Sequence, residues 1–360
     1  VKDTLGLSLY NNGKNDSMNQ GWQWKALSSV NSVAVDSQLN VYAGDDSGYV
    51  TKFDSNGKQI WQWKTPKSVN SIAVDSQFNV YTGDSSACVT KLDNTGKQLW
   101  QWTAPSYVNS VAVDSQFNVY VGDYGSHVTK LDSNGNKIWQ WKGPNVVHPV
   151  EVDSQFNVYA GDGIGYTTKL DSNGKQVWQR NAPTVVWSIA VDSQFNVYAG
   201  GFGAYSDQRG YVTKFDSNGK QIWQWKGPNV VHPVEVDSQF NVYAGDGIGY
   251  TTKLDSNGKQ VWQRNAPTVV WSIAVDSQFN VYAGGFGAYS DQRGYVTKFD
   301  SNGKQIWQWK TPKSVNSIAV DSQFNVYTGD SSACVTKLDN TGKQLWQWTA
   351  PSYVNSVAVD

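Results

Sequence analysis

One stretch recurs along the chain and constrains its fold more than any other feature: residues 30–64, VNSVAVDSQLNVYAGDDSGYVTKFDSNGKQIWQWK. The aspartate of its Val-Asp-Ser-Gln motif stands at Asp36, Asp75, Asp114, Asp153, Asp192, Asp237, Asp276 and Asp321, and a final Val-Asp ends at Asp360. Successive copies are 39 or 45 residues apart. A fixed repeat of about 40 residues is typical of solenoids and propellers, so the chain is predicted to be a repeat protein.

Each repeat contains four short runs of β-branched and aromatic residues. We name them strand A (69–75, VNSIAVD), strand B (79–84, NVYTGD), strand C (49–54, YVTKFD) and strand D (59–63, QIWQW). Polar and apolar residues alternate with the two-residue period of a strand. Between strands C and D, the Asn-Gly pair at Asn56 and Gly57 favours a tight hairpin. Four antiparallel strands per repeat predict the blade of an all-β propeller.

The blade count depends on how the two ends are read. Residues 1–29 resemble strands C and D of a partial blade, residues 30–353 contain eight complete blades, and residues 354–360 repeat strand A. Pairing the two ends would make a composite closing blade and protect two sheet edges. We therefore expect one propeller domain spanning residues 1–360 with nine blades; eight blades plus a terminal flap is the alternative.

Strand D carries pairs of tryptophans two residues apart, which places both rings of a pair on one face of the sheet. The pairs are Trp61 and Trp63, Trp100 and Trp102, Trp139 and Trp141, Trp223 and Trp225, Trp307 and Trp309, and Trp346 and Trp348. A lone four-stranded sheet could not cover so much aromatic surface. We predict that each pair packs on the next blade, in preference to the rival interpretation of ligand binding.

The string KLDNTGKQLW at 91–100 resembles the tryptophan-docking repeat of the pyrroloquinoline-quinone-type propellers. Together with the SIAVDSQFNVYTGD string, it is similar to a bacterial β-propeller repeat family of secreted and surface proteins. The resemblance covers essentially the whole chain and implies a propeller in an extracellular or periplasmic location. It says little about function, because such families include quinoenzymes, assembly scaffolds and proteins without known activity.

Several classes of function find no support in the residues. The net charge is -1, so no basic surface favours nucleic acid, and no apolar run is long enough to span a membrane. The two cysteines, Cys88 and Cys334, occupy equivalent positions and form no metal motif. No Gly-x-Ser-x-Gly or His-Glu-x-x-His motif is present among only three histidines. We expect no catalysis, no cofactor and no metal site.

Differences between blades indicate where a ligand would bind, because loops on a rigid scaffold commonly carry binding residues. The B–C link is longer in two blades and contributes Phe202, Tyr205 and Arg209, and in the copy Phe286, Tyr289 and Arg293. The second position of strand A is asparagine in most blades but becomes His148, Trp187, His232 and Trp271 in four neighbouring ones. Glu151 lies three residues after His148, which predicts opposite faces of the strand and argues against a chelating pair.

Two hypotheses of function remain open. The first is a monomeric binding module whose repeated loops gain avidity for a glycan or surface polymer. The second is a structural scaffold that offers one face to a protein partner. Long internal blocks are identical, since 138–226 recurs as 222–310 and 48–114 as 294–360. An engineered or amplified repeat protein without a dedicated ligand is therefore a further alternative.

Overall fold

The computed structural model describes residues 28–349 apart from 183, 204–208, 267, 288–292 and 333, together with residues 352–354 and 358–359. The described residues form eight sheets, each with four antiparallel strands in the order A-B-C-D, and the sheet of blade 1 carries two further short strands. The predicted all-β propeller of four-stranded blades is confirmed. Within this part of the chain no helix is long and apolar enough to cross a membrane.

Blades 1 to 8 follow one another along the chain, and every blade uses four consecutive strands. The A strands are β1 (Ser28–Val35), β5 (Val69–Val74), β9 (Val108–Val113), β13 (Val147–Val152), β17 (Thr184–Val191), β21 (Val231–Val236), β25 (Thr268–Val275) and β29 (Val315–Val320). The B strands are β2 (Val41–Asp45), β6 (Val80–Asp84), β10 (Val119–Asp123), β14 (Val158–Asp162), β18 (Val197–Gly203), β22 (Val242–Asp246), β26 (Val281–Gly287) and β30 (Val326–Asp330).

The C strands are β3 (Tyr49–Phe53), β7 (Cys88–Leu92), β11 (His127–Leu131), β15 (Tyr166–Leu170), β19 (Gly210–Phe215), β23 (Tyr250–Leu254), β27 (Gly294–Phe299) and β31 (Cys334–Leu338). The D strands are β4 (Gln59–Lys64), β8 (Gln98–Thr103), β12 (Lys137–Lys142), β16 (Gln176–Asn181), β20 (Gln221–Lys226), β24 (Gln260–Asn265), β28 (Gln305–Thr311) and β32 (Gln344–Thr349). A strands of successive blades contact one another around the centre of the ring, for example β1 with β5 and β25 with β29.

The A–B turn is built around one aspartate, as in blade 2. Asp75 Oδ1 accepts hydrogen bonds from the backbone N–H groups of Gln77 and Asn79, each at 2.9 Å. Asp75 Oδ2 accepts from Asn79 Nδ2 and from the buried Tyr81 hydroxyl, each at 2.8 Å. Charge-assisted hydrogen bonds of this kind stabilise a turn strongly. The repeated Asp-Ser-Gln-Phe-Asn motif is therefore a structural turn.

The C–D turn receives the tryptophan of the preceding blade. In blade 2, Gly96 has a φ of +84° and lies against the Trp61 ring of blade 1, so a side chain at this position would clash with the ring. Trp61 Nε1 also donates to the carbonyl oxygen of Asn94 at 3.0 Å. The glycine thus meets two requirements together: a left-handed backbone and close approach of an indole.

The hydrophobic core lies between the blades. Tyr81 and Val89 of blade 2 pack in one buried cluster with Val108, Val111 and Leu131 of blade 3, and Trp100 and Trp102 cover that cluster from strand D. Corresponding clusters join the other blades. Because each blade buries its apolar faces on its neighbours, the sheets are stable together and would not be stable singly.

The expected ninth blade is wrong: the ring closes after eight blades, as in the alternative. Trp346 of blade 8 donates to the carbonyl oxygen of Ser55 in blade 1 at 3.1 Å, and the Trp348 ring lies 4.3 Å from the Phe53 ring. This is the contact that the other blades make with their successors, so blade 8 already has blade 1 as its neighbour. The first part of the expected composite blade, at 1–27, lies outside the described residues.

The repeated strand A near the end of the chain occupies a place that we did not expect. It forms two short strands, β33 (Ser352–Val354) and β34 (Ala358–Val359), and both pair with β1 in parallel. β34 also contacts β29 of blade 8. The segment therefore lies at the junction of blades 8 and 1 as an addition to the sheet of blade 1.

Candidate interaction surface

The variable second position of strand A is the extra residue of a β-bulge. In blade 2, Val69 pairs with Asp84 and Ser71 pairs with Gly83, so Asn70 is inserted between two consecutive pairs of the ladder. In blade 5 the pairs are Val186 with Gly201 and Ser188 with Gly200, and the extra residue is Trp187. A bulge turns a side chain away from the regular ladder and is a common device at binding sites.

The asparagines at this position connect neighbouring blades. Asn70 Nδ2 donates to the carbonyl oxygen of Val108 in blade 3, and Asn109 Nδ2 donates to that of Val147 in blade 4, each at 2.8 Å. Histidine and tryptophan replace these asparagines in blades 4 to 7. Those blades therefore exchange a polar link near the centre of the ring for aromatic side chains.

The four replacements and one phenylalanine from each longer B–C link form one connected surface. We call it the aromatic arc, and it consists of His148, Trp187, His232, Trp271, Phe202 and Phe286. The rings of His148 and Trp187 are stacked, with centroids 6.0 Å apart, and Trp187 meets His232 edge to face at 6.1 Å. The His232 and Trp271 centroids are 4.2 Å apart. Aromatic pairs in this range attract one another beyond simple burial. The arc therefore extends without interruption over four blades.

The longer B–C links bring one phenylalanine to each tryptophan of the arc. β18 and β26 are seven residues long, whereas the B strands of the other blades have five. Phe202 lies 5.4 Å from Trp187, and Phe286 lies 5.7 Å from Trp271, measured between ring centroids. The structure therefore brings Phe202 and Phe286, two of the loop residues singled out in the sequence, against the tryptophans of strand A.

Two polar atoms of the arc are buried and have no hydrogen-bond partner among the described residues: Trp187 Nε1 and His232 Nδ1. Burying a polar group without a partner is costly, and such atoms are often found where a bound group supplies the missing bond. Trp187 lies between histidines of both neighbouring blades. For its duplicate, Trp271, the equivalent residue is His232 in the preceding blade and Asn316 in the following blade.

Burial keeps the arc uncharged at neutral pH. It lowers the pKa of His148 and of His232 from the ordinary 6.5 to about 4, because removal from water disfavours the imidazolium form. Both rings are therefore neutral imidazoles at pH 7, with one donor and one acceptor nitrogen each. The arc offers flat, uncharged rings that suit an apolar or planar group of a partner.

The bulge overturns one argument from the sequence. We expected His148 and Glu151 on opposite faces because they are three residues apart in a strand. Val147 and Val150 are also three residues apart, yet both lie against Gly122 of the preceding blade. Strict alternation therefore fails across the bulge and cannot separate His148 from Glu151. In the described part of the chain no group of three or more His, Cys, Asp or Glu side chains is arranged to hold a metal ion.

The remaining candidate residues fall into three groups. Tyr205 and Tyr289 lie outside the described residues, and Arg209 and Arg293 are exposed beside the B–C links. The strand D tryptophans are half-buried and reach the next blade through hydrogen bonds such as the one from Trp100 Nε1 to the Ser133 carbonyl oxygen, at 2.9 Å. Cys88 and Cys334 are free thiols.

Sequence reasoning missed a ring of apolar residues at the A–B turns. These residues have left-handed φ values of 64–66° and are half-buried: Leu39, Phe78, Phe117, Phe156, Phe195, Phe240, Phe279 and Phe324. Non-glycine residues rarely adopt this conformation. The signal in the sequence was the phenylalanine that follows Asp-Ser-Gln in nearly every blade, at a turn position where Gly or Asn would be expected.

Comparisons with known proteins agree with the fold. The family model described as "Outer membrane protein assembly factor BamB" matches residues 46–186 and 292–360. The crystal structure of the computationally designed Ika8 protein is similar over 89% of this chain and 96% of its own, with a TM-score of 0.74 and 14% identity. BamB from Moraxella catarrhalis is similar over 87% of this chain and 92% of its own, with a TM-score of 0.65 and 18% identity.

No curated protein sequence matches this chain significantly. At 14% and 18% identity, the two solved structures support the fold alone. The family model, in contrast, matches more than half of the 360 residues. The chain therefore belongs to the β-propeller family described as outer membrane protein assembly factor BamB.

Proposed function

We propose that this chain is a non-enzymatic propeller that binds a protein partner through one asymmetric surface, the aromatic arc. The observation that carries the proposal is the continuity of the arc. Its rings join blades 4 to 7 and are replaced in blades 2 and 3 by asparagines that bond within the ring. A scaffold needs one such contact patch, whereas repeated small-ligand sites would recur around the whole ring.

The chemistry of the arc suits a protein partner. Tryptophan is enriched among the residues that contribute most to protein interfaces, and neutral aromatic surface loses little when water is removed. Trp187 is half-buried, so part of its side chain remains available to a bound protein. The family to which the chain belongs is described as an assembly factor, which also favours a protein partner.

A photo-crosslinking experiment identifies the partner. A photoreactive phenylalanine analogue at position 187 would be used in cells that produce the protein, and the same analogue at Tyr107 is the matched control. Tyr107 is 57% exposed and immediately precedes strand A of blade 3, outside the arc. We expect a defined crosslinked protein from position 187 only.

The affinity of the purified pair then tests the arc itself. Replacement of Trp187 by alanine should weaken binding roughly 30-fold, the loss of about 2 kcal/mol that is typical of a central interface tryptophan. Tyr107→Ala should leave the dissociation constant unchanged. Equal crosslinking from both positions, or an unchanged dissociation constant in Trp187→Ala, would contradict the proposal.

Glycan binding is the second candidate, and one observation favours it. Trp187 with Phe202 and Trp271 with Phe286 form two equivalent aromatic pairs beside duplicated loops, an arrangement suited to stacking on sugar rings. A glycan array compares the wild type with Trp187→Ala/Trp271→Ala. Binding that is lost in the double variant would favour the glycan, and no binding by the wild type would remove this candidate.

A further inference from the structure

Blade 1 has two copies of its A strand within reach. Residues 28–36 read SSVNSVAVD and residues 352–360 read SYVNSVAVD, so the two segments differ only at Ser29 and Tyr353. The second copy also matches residues 106–114 at every position. There the same nine residues contain β9, which pairs with β10 in the antiparallel register that β1 adopts with β2.

The two copies lie beside each other with equivalent residues aligned. Ser28 is opposite Ser352, Val30 is opposite Val354, and Ala34 is opposite Ala358. These are the parallel pairings in the described part of the chain, where the other sheet pairings are antiparallel. The parallel alignment places the second copy directly against the strand that it duplicates.

The second copy also contacts the blade that precedes it in the ring. β34 touches β29 of blade 8, just as β29 itself touches β25 of blade 7. It therefore lies next to strand A of blade 8, at the position expected for the following A strand of the ring. Strand β1 nevertheless makes the pairing with β2. Two segments of nearly identical sequence are therefore available to pair with strand β2.

We propose that either segment can serve as strand A of blade 1, so that closure of the ring is redundant. When β1 leaves β2, β33 and β34 of the same chain replace it in the register that β9 adopts with β10. Exchange of sequence-equivalent strands costs little, because the incoming copy forms the same ladder hydrogen bonds as the strand that departs. Blade 1 is the blade at which the inner strand is replaceable.

Proline substitutions test this proposal in the full chain, because proline removes a backbone donor and disrupts a central strand. Three alanines have equivalent places: Ala34 in β1 is opposite Tyr42, Ala73 in β5 is opposite Tyr81, and Ala358 belongs to the second copy. Ala73→Pro is the control, since the sheet of blade 2 contains one A strand. It should lower the melting temperature by at least about 5 °C.

The redundant closure predicts a distinct pattern for the other variants. Ala34→Pro and Ala358→Pro should each lower the melting temperature by less than about 2 °C, and the double variant should lose as much as Ala73→Pro. If Ala34→Pro alone lowered the melting temperature as much as Ala73→Pro does, the proposal would be overturned. The proposal would also be overturned if the melting temperature of the double variant fell by no more than the sum of the two single effects.

Hydrogen exchange of β2 gives a second readout that does not depend on the control folding. The amides of Val41–Asp45 should stay protected in Ala34→Pro and in Ala358→Pro and should lose protection in the double variant. Protection in Ala34→Pro should be independent of protein concentration. Protection that rises with concentration would mean that a second molecule supplies the strand, which would overturn replacement within one chain.

Discussion

Trp346 donates its indole N–H to the carbonyl oxygen of Ser55 at 3.1 Å, although 291 residues separate them in the sequence. Between consecutive blades of 39 residues the same bond spans 33 residues, as from Trp100 to Ser133 at 2.9 Å. The junction of blades 8 and 1 is therefore closed by the chemistry that joins the other blades. Lys337 Nζ, at 3.4 Å from the same Ser55 oxygen, reinforces this contact.

Removal of the junction tryptophan should cost as much as removal of its equivalent inside the ring. We expect Trp346→Ala and Trp100→Ala each to lower the free energy of unfolding by about 3 kcal/mol, because each leaves a cavity over the next blade. Leu99→Ala, at a position 50% exposed, is the control and should change little. Urea unfolding provides the values. A much smaller loss for Trp346→Ala would show that the junction is open in solution.

Replacement of an alanine that has a left-handed backbone conformation by glycine should stabilise the chain. Ala87 has a φ of +67° in the B–C turn, where the corresponding residue of blade 1 is Gly48. Ala87→Gly should raise the free energy of unfolding by about 0.5–1 kcal/mol, the strain removed less the added freedom of the unfolded chain. Ala43→Gly, in the regular strand β2, should instead lower it. Chemical denaturation of the two variants would show opposite signs.

Loss of one hydroxyl should reveal the strength of the A–B turn. The buried Tyr120 hydroxyl donates to Asp114 Oδ2 at 2.9 Å. Tyr120→Phe should destabilise the chain by about 2 kcal/mol, because a hydrogen bond to a charged group is lost within the core. The exposed Tyr124→Phe should have no measurable effect in the same unfolding experiment. Equal effects would mean that the turn does not depend on this bond.

The two buried histidines should make the chain less stable in acid. Because the pKa of His148 and His232 falls from 6.5 to about 4 in the folded state, the unfolded chain binds more protons between these values. The contribution of the neutral rings is complete above about pH 6.5 and is lost as the pH falls towards 4.

The variant His148→Asn/His232→Asn tests this dependence, since asparagine occupies the same position in other blades. Its free energy of unfolding, measured by urea titration from about pH 4 to 7, should fall less in acid than that of the wild type. Asp45, whose pKa burial raises to about 6, acts in the opposite direction and is common to both proteins. Parallel curves for the two proteins would refute the expectation.

The fold was largely predictable because the pattern of each blade is local. The predicted runs 69–75, 79–84, 49–54 and 59–63 agree within one residue with β5, β6, β3 and β4. The number of blades was not local information. It depends on contacts between residues far apart in the chain, such as the bond from Trp346 to Ser55 across 291 residues.

The residues of the aromatic arc could be singled out from the sequence, but their geometry could not. Variation among blades singled out His148 and Trp187, and the structure places their rings together. The bulge at this position was missed, because a period of two in the sequence does not show an inserted residue. The cost of a left-handed Phe117 was likewise hidden, since φ is a property of the folded turn.

The C–D turn that contains Gly57 has an evolutionary consequence. Each blade carries an indole at one side and the glycine pocket for an indole at the other, as with Trp61 over Gly96 and Trp346 over Gly57. A gene duplication that inserts a whole unit therefore supplies both halves of every new junction. Such a chain can gain or lose units in steps without inventing any new complementary surface.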